Sequence, residues 1–136
     1  PRIACQTFCS EYDYNIPYQH DKHKADSAYA LKSIESMQRD LMQYGSITAA
    51  FYVHDDFAHY QSGVYTPLKT STIVGGHAIK LIGWGNEDGQ DYWLAVNSWT
   101  EEWGDKGTFK ITRGDNTCCI ESLAVHGGHV FYYPKK

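Results

Sequence analysis

Three strand-like segments follow one another between residues 77 and 113, and they constrain the fold more than any other feature of the chain. Residues 77–84 (HAIKLIGW), 92–98 (YWLAVNS) and 107–113 (GTFKITR) are rich in β-branched, aromatic and other apolar residues. Short runs containing glycine and acidic residues, GNEDGQD and EEWGDKG, connect them and are typical of turns. Because short connections join antiparallel neighbours, these segments predict an antiparallel sheet.

One segment upstream has the period of a helix rather than a strand. Ser33 is a favourable N-cap residue and Gly45 a favourable stop. Between them, apolar residues recur at helical spacing: Ile34, Met37, Leu41 and Tyr44. The spacing predicts one helix of about three turns.

The rest of the chain predicts shorter elements. Residues 47–53 and 64–65 predict strands, 55–60 a helical turn, and 122–125 a last strand. Residues 1–30 show no sustained period and predict an irregular segment. No repeat and no domain boundary is visible, so we expect residues 1–136 to form one lobe of the α+β class, with one main helix on a mostly antiparallel sheet or barrel.

Composition and charge argue against several classes of function. The net charge is −4, and the only basic cluster is Lys135-Lys136, so we expect no nucleic-acid partner. No apolar stretch approaches the roughly 18 residues that cross a bilayer, so we expect no membrane partner. Cys5 and Cys9 lie in a polar, loop-like stretch, where cysteines more often form disulfides, which favours an oxidising compartment.

His77 and Asn97 are the strongest candidates for chemistry. Two glycines precede His77, and Gly76 in particular would allow a substrate or another backbone to approach closely. Asn97 ends the next strand-like segment and is followed two residues later by Trp99. An amide oxygen can hold an imidazole in one tautomer for a nucleophile, and an indole can exclude water from that bond. Spacing alone leaves open the alternative that His77 starts a strand, Asn97 makes a turn and Trp99 packs.

Longer motifs carry a family resemblance. The runs GGHAIKLIGWG, DYWLAVNSWTEEWGDKGTFKITRG and CCIES resemble the C-terminal lobe of papain-like cysteine proteases. The CQTFC run at the N-terminus, DKH at 21–23 and DFAHYQSGVY at 56–65 are similar to cathepsin B within that family. The resemblance implies a papain-like fold, with His77 as catalytic base and acid, Asn97 as the residue that orients it, and Trp99 as a shield bordering the leaving-group side.

The nucleophile of that family is missing from the sequence. Papain-like proteases carry C-G-[SA]-C-[WY] about 130–150 residues before the histidine, and no such run occurs here. The resemblance implies that an N-terminal half supplies this cysteine and is disulfide-linked through Cys5 and Cys9. The start at Pro1 rather than Met is most simply explained by a cut end. Cys118 matches a family cysteine outside the active centre, whereas Cys119 stands where the family usually has Gly.

The resemblance also implies a substrate-binding surface for peptides or proteins. The family lines its P2 pocket, which holds the second residue before the scissile bond, with positions matching Ala50, Ala78 and Leu123. Cathepsin B typically has an acid at the last position, so Leu123 predicts a preference for apolar P2 residues over arginine. Ala49 replaces a family Gly and is expected to narrow the substrate channel. The implied location is lysosomal or secreted.

Other hypotheses for the function stay open. The chain could be a non-catalytic binding module that retains the cleft wall. The pairs His20/His23 and His126/His129 lack the third and fourth ligands of a closed zinc site, so we expect no metal, and nothing indicates a cofactor.

Overall fold

The structure is a computed structural model, and it describes residue 4 and residues 6–8, 13–22 and 25–129. Within these residues, seven strands form one sheet in the order β1-β7-β2-β4-β5-β6-β3. The strands are β1 (Tyr29–Ala30), β2 (Ile47–His54), β3 (Val64–Tyr65), β4 (Ile73–Glu87), β5 (Gln90–Val96), β6 (Thr108–Thr112) and β7 (Ala124–Gly127). The helix α1 spans Ile34–Tyr44, and short 3₁₀ helices span Asp55–His59 and Thr117–Cys119.

The predicted α+β class, with one main helix and a mostly antiparallel sheet, is confirmed. All neighbouring strands run antiparallel except β3, which pairs in parallel with β6. The longest strand pairings lie at the centre of the sheet, where β4 pairs with β2 on one side and with β5 on the other. This central position of β4 matters for function because β4 carries His77.

The ends of α1 follow directly from local side-chain chemistry. The Ser33 hydroxyl accepts a bond from the Ser36 N–H at 3.1 Å, and the Ser36 hydroxyl accepts one from the Ser33 N–H at 3.1 Å. This reciprocal pair satisfies two backbone donors that the first turn leaves unpaired. At the other end Gly45 has a φ of 97°, a conformation that glycine adopts without steric cost. The predicted bounds of the helix are therefore confirmed.

Several predicted boundaries were wrong. β4 begins at Ile73, so His77 lies inside the strand and does not open it. The start of β4 is not visible in the apolar periodicity, because Gly75 and Gly76 have no apolar side chain. Both residues nevertheless pair with β2. The last strand spans Ala124–Gly127 instead of 122–125, because the chain is still turning after the second 3₁₀ helix. β1 was not predicted, since only two residues form it.

The core on the inner face of the sheet is rich in aromatic side chains. Phe51, Phe57, Trp93 and Phe109 are all completely buried. Phe57 lies edge-on to both Phe51 and Phe109, with centroids 5.2 and 4.9 Å apart. Ala49 is also completely buried among these residues. The expectation that Ala49 narrows the substrate channel is therefore wrong, because its side chain faces the core.

Two further observations concern ligands and membranes. No helix among the described residues is long and apolar enough to cross a bilayer. In the same part of the chain, no three histidine, cysteine or acidic residues lie close enough together to hold a metal ion. His23, like Cys5 and Cys9, lies outside the described residues.

Candidate active site

His77 on β4 and Asn97, just after β5, are hydrogen-bonded. The Nε2 atom of His77 lies 2.8 Å from the Oδ1 atom of Asn97. The two strands are antiparallel neighbours, with Lys80 opposite Val96. Continuing that register places Asn97 opposite Ile79, whose side chain faces the same side of β4 as that of His77. The proximity expected from the sequence is confirmed.

A second hydrogen bond fixes the orientation of the Asn97 amide. The backbone N–H of Ser98 donates to Asn97 Oδ1 at 2.8 Å. An N–H can only donate, so the side-chain atom that it faces must be the carbonyl oxygen. His77 Nε2 must therefore carry a proton and donate to the same oxygen. In a neutral imidazole this leaves Nδ1 as the nitrogen that can accept a proton.

Asn97 is held firmly in place. It is only 9% exposed, and its backbone N–H donates to the carbonyl of Gly107 at 2.9 Å. The nitrogen of its side chain is buried and has no hydrogen-bond partner among the residues that the structure describes. Burial without full pairing is costly, and such costs are commonly found at functional sites. The cost at Asn97 is offset by the two bonds that its oxygen accepts.

Aromatic rings enclose the His77 imidazole on the core side. The indole of Trp99 stacks on it with ring centroids 5.2 Å apart and planes 29° apart. The ring of Phe51 approaches it edge-on at 6.0 Å. Trp99 in turn packs edge-on against Trp103 and Phe57. This cluster fixes the position of the imidazole and lowers the polarity around its bond to Asn97.

Two predicted substrate-binding residues, Ala50 and Ala78, lie on the outer face of the same sheet, opposite the core, whereas Trp99 packs on His77 at the core side. Ala50 on β2 pairs with Ala78 on β4, and on its other side with Ala124 on β7. Gly76, two residues before Ala78, is exposed and pairs with Tyr52. Leu123 immediately precedes Ala124 and is 39% exposed. Ala50 and Ala78 therefore share one surface, and Leu123 lies at its margin next to Ala124, whereas contact of all three with a substrate stays a prediction.

Glu121 determines where the Leu123 segment lies. Its Oε1 accepts bonds from the Trp93 indole N–H at 2.9 Å and the Gly114 N–H at 2.7 Å. Its Oε2 accepts one from the Asn116 N–H at 3.0 Å. No separate role for Glu121 was predicted from the sequence. A clue was available, because an acid inside an apolar run is rarely buried without partners.

Cys118, in the second 3₁₀ helix, is a poor candidate for a nucleophile. Cys118 and Cys119 are both free thiols and partly buried. Burial, with smaller effects from the Asp56 carboxylate and the Cys119 thiol, raises the pKa of Cys118 to about 11. A nucleophilic cysteine needs the thiolate form, which this environment disfavours.

Comparison with known proteins agrees with this arrangement. The sequence profile of the papain family cysteine proteases matches residues 4–127. The chain is 48% identical over 124 residues to a "Cathepsin B-like cysteine proteinase" of Schistosoma japonicum, covering 90% of this chain and 36% of that protein. It is 45% identical over 124 residues to "Cathepsin B-like cysteine proteinase 3" of Ostertagia ostertagi, covering 90% of this chain and 70% of that protein.

Solved structures give the same result. The structure of "proCathepsin B S9 from Trypanosoma congolense" matches with a TM-score of 0.81 at 36% identity, covering 94% of this chain and 42% of that chain. Digestive procathepsin L2 proteinase from the midgut of Tenebrio molitor larvae matches with a TM-score of 0.71 at 31% identity, covering 85% of this chain and 37% of that chain.

The fold and the family match together define the class: the chain belongs to the papain family of cysteine proteases. Within the family it is similar to the cathepsin B-like members, and its fold is that of their C-terminal lobe. The chain spans about a third of the length of the Schistosoma relative.

Proposed function

We propose that this chain supplies the base and the orienting residue of a cathepsin B-like thiol protease whose nucleophilic cysteine lies on an N-terminal half. The observation that carries the proposal is the 2.8 Å contact between His77 Nε2 and Asn97 Oδ1, fixed by the Ser98 N–H. That bond leaves His77 Nδ1 to exchange protons with a sulfur and a leaving amine.

The reaction follows from this assignment. The cysteine of the N-terminal half transfers its proton to His77 Nδ1, forming a thiolate–imidazolium pair, and the sulfur attacks the peptide carbonyl carbon. His77 then donates that proton to the departing amine, and the C–N bond breaks. A water molecule next loses a proton to His77 and attacks the acyl carbon. The C–S bond breaks, the acid leaves, and His77 returns its proton to the sulfur.

We further propose that the chain is inactive by itself. The sequence contains the histidine and asparagine that we assign to catalysis, whereas the family's C-G-[SA]-C-[WY] segment does not occur in it. The raised pKa of Cys118 argues against that residue as a substitute. Cys5 and Cys9 lie outside the described residues, and their disulfides to the N-terminal half stay part of the proposal.

The outer face of the sheet is the proposed contact with the N-terminal half. Tyr52 and Ala78 lie on the face that also bears Ala50, and Val74 lies further along β4 at a bulge. Tyr52 and Val74 are 37% and 64% exposed. An apolar patch on one face favours a protein partner. The cleft between the two halves would then hold the peptide, with its P2 side chain against Ala50, Ala78 and Leu123.

The proposed substrates are peptides or proteins with an apolar P2 residue, and the proposed location is lysosomal or secreted. The exposed Ala78 and the half-buried Ala50 leave room for a bulky side chain, and Leu123 offers it no acidic partner. A guanidinium group in such a pocket would lose hydration without gaining an ion pair.

Hydrolysis of a fluorogenic Leu-Arg amide by the complete protease tests the proposed function. The His77→Ala variant should lose at least about 100-fold in kcat, since proton transfer by a positioned side chain contributes roughly 10²–10⁴-fold. His59→Ala, an exposed histidine of the first 3₁₀ helix, serves as the matched control. Peptide binding without hydrolysis by the wild type would instead support a binding module.

A further inference from the structure

The row of alanines on the outer face continues beyond the proposed P2 contacts and ends at a lysine. Ala78, Ala50 and Ala124 lie side by side on β4, β2 and β7. On the far side of β7, Ala30 pairs with His126, and the Leu31 N–H donates to the Val125 carbonyl at 2.9 Å. This antiparallel register places Lys32 beside Ala124.

A cavity of about 340 Å³ joins this lysine to the proposed P2 wall. Leu31, Leu123 and Ala124 provide apolar lining, and Lys32 and Glu121 provide charged lining. The volume is sufficient for one large side chain. The cavity therefore continues the surface formed by Ala50 and Ala78 towards the edge of the sheet.

The two charged residues of this cavity differ in what they can offer a ligand. Both carboxylate oxygens of Glu121 already accept bonds from Trp93, Gly114 and Asn116. Lys32 is exposed, and among the described residues it takes part in no ion pair. The ammonium group of Lys32 is therefore the charge available to a side chain that enters from the alanine row.

We propose that Lys32 is a specificity-determining residue that, among polar P2 side chains, favours one with an apolar stem and an anionic tip, namely glutamate over glutamine. This inference rests on the proposed function, because it assumes that a P2 side chain enters the cavity. Leu123 and the alanines contact the stem, and Lys32 meets the carboxylate at the distal end. The same charge repels a P2 arginine.

The size of the effect follows from the exposure of Lys32. A solvated ion pair is weak and is screened by salt, so the preference for glutamate over glutamine should be about 3- to 10-fold in kcat/KM at low ionic strength. Most of it should vanish in 0.5 M NaCl. A salt-insensitive preference would point to shape rather than charge.

The experiment compares Glu-Arg, Gln-Arg and Leu-Arg fluorogenic amides on the complete protease. Lys32→Gln should reduce the Glu/Gln ratio of kcat/KM to about 1, and Lys32→Glu should invert it and improve hydrolysis of an Arg-Arg amide. Lys69→Glu makes the same charge change in the loop before β4, away from the cavity. Lys32 precedes the helix cap and is exposed, so its variants should fold normally.

The outcomes separate this inference from the proposed function. If both Lys32 variants hydrolyse the Leu-Arg amide normally and keep the wild-type Glu/Gln ratio of kcat/KM, the role of Lys32 is overturned. The proposed function is then unaffected. His126 also lines the cavity, and loss of the preference in His126→Gln but not in Lys32→Gln would overturn the assignment to Lys32. No hydrolysis of any amide by the wild type would overturn the proposed function and, with it, the inference.

Discussion

The indole of Trp99 lies over the imidazole of His77, with ring centroids 5.2 Å apart and planes 29° apart. We propose that this contact keeps water from the bond between His77 and Asn97. We expect Trp99→Ala to lower kcat of the complete protease by about tenfold, which corresponds to about 1.4 kcal/mol in the activation barrier. Trp99→Phe should retain most of the activity, because it preserves an aromatic cover.

Steady-state kinetics on a Leu-Arg amide measure this effect. Trp84→Ala is a suitable control, since Trp84 contacts Trp93 rather than His77. A kcat for Trp99→Ala equal to that of the wild type would mean that the stacking has no part in catalysis.

Asn97 should contribute to catalysis through the orientation of the imidazole. Asn97→Ala removes the acceptor for His77 Nε2, so the ring can rotate and change tautomer. We expect kcat to fall about 10- to 100-fold with little change in KM, as for an interaction that assists only proton transfer. The variant should also lose about 1–3 kcal/mol of unfolding free energy, because the Ser98 N–H loses its acceptor. An unchanged kcat would exclude an orienting role.

Leu123 should control the choice of P2 residue. Leu123→Glu places a carboxylate beside Ala124, where it can pair with an arginine. We expect the ratio of kcat/KM for Arg-Arg over Leu-Arg amides to rise about tenfold or more, since charge pairing replaces the cost of an unpaired cation. Leu123→Met is the control, with similar volume and no charge. Wild-type hydrolysis of the Arg-Arg amide as fast as the Leu-Arg amide would contradict the proposed apolar pocket.

Much of this site could be predicted from the sequence, but only where local signals agree with the tertiary structure. Ser33 and Gly45 delimit α1 because both act within one helical turn. His77 and Asn97 meet because short turns fix the register of adjacent strands. The burial of Ala49 could not be predicted, because two consecutive alanines in a strand do not reveal which one faces the core.

The position of the segment around Glu121 could not be predicted from the local sequence either. Its partner Trp93 lies on β5, and its partner Gly114 follows β6. The carboxylate therefore finds its hydrogen-bond donors only when these strands are assembled. The position of β7 depends on that assembly. A two-residue strand such as β1 has too few side chains to produce a period.

Replacing Cys119 with glycine should stabilise the turn that precedes Leu123. Cys119 has a φ of 60°, a left-handed conformation that costs a residue with a side chain roughly 1–2 kcal/mol. We expect Cys119→Gly to raise the unfolding free energy of the complete protease by about 0.5–1 kcal/mol, whereas Cys119→Ala should not. Urea unfolding measures both variants. Equal stability of the glycine and alanine variants would show that strain at this position is negligible.

Asp55 should contribute to the loss of stability in acid. Hydrogen bonds from the backbone N–H and then the hydroxyl of Thr72 lower its pKa below the ordinary value of 3.8. Its ionised form therefore stabilises the fold above pH 3.8, and this contribution is lost as the pH falls through the lower pKa of the folded state. Asp55→Asn should flatten the decline in stability below about pH 4.

Thermal unfolding between neutral pH and pH 2.5 tests this prediction. Glu101→Gln removes an exposed carboxylate from a turn and is the matched control. The same acid dependence in Asp55→Asn and in the wild type would rule out a contribution from Asp55.

The central claim is that the 136 residues hold the base of a divided active site and not its nucleophile. The most direct measurement is hydrolysis of a fluorogenic Phe-Arg amide under mildly acidic, reducing conditions, by this chain alone and with the N-terminal half. We predict no turnover by the chain alone, recovery with the N-terminal half, and none when the cysteine of that half is replaced by serine. Turnover by the chain alone that is lost in His77→Ala would show that one of its own cysteines is the nucleophile.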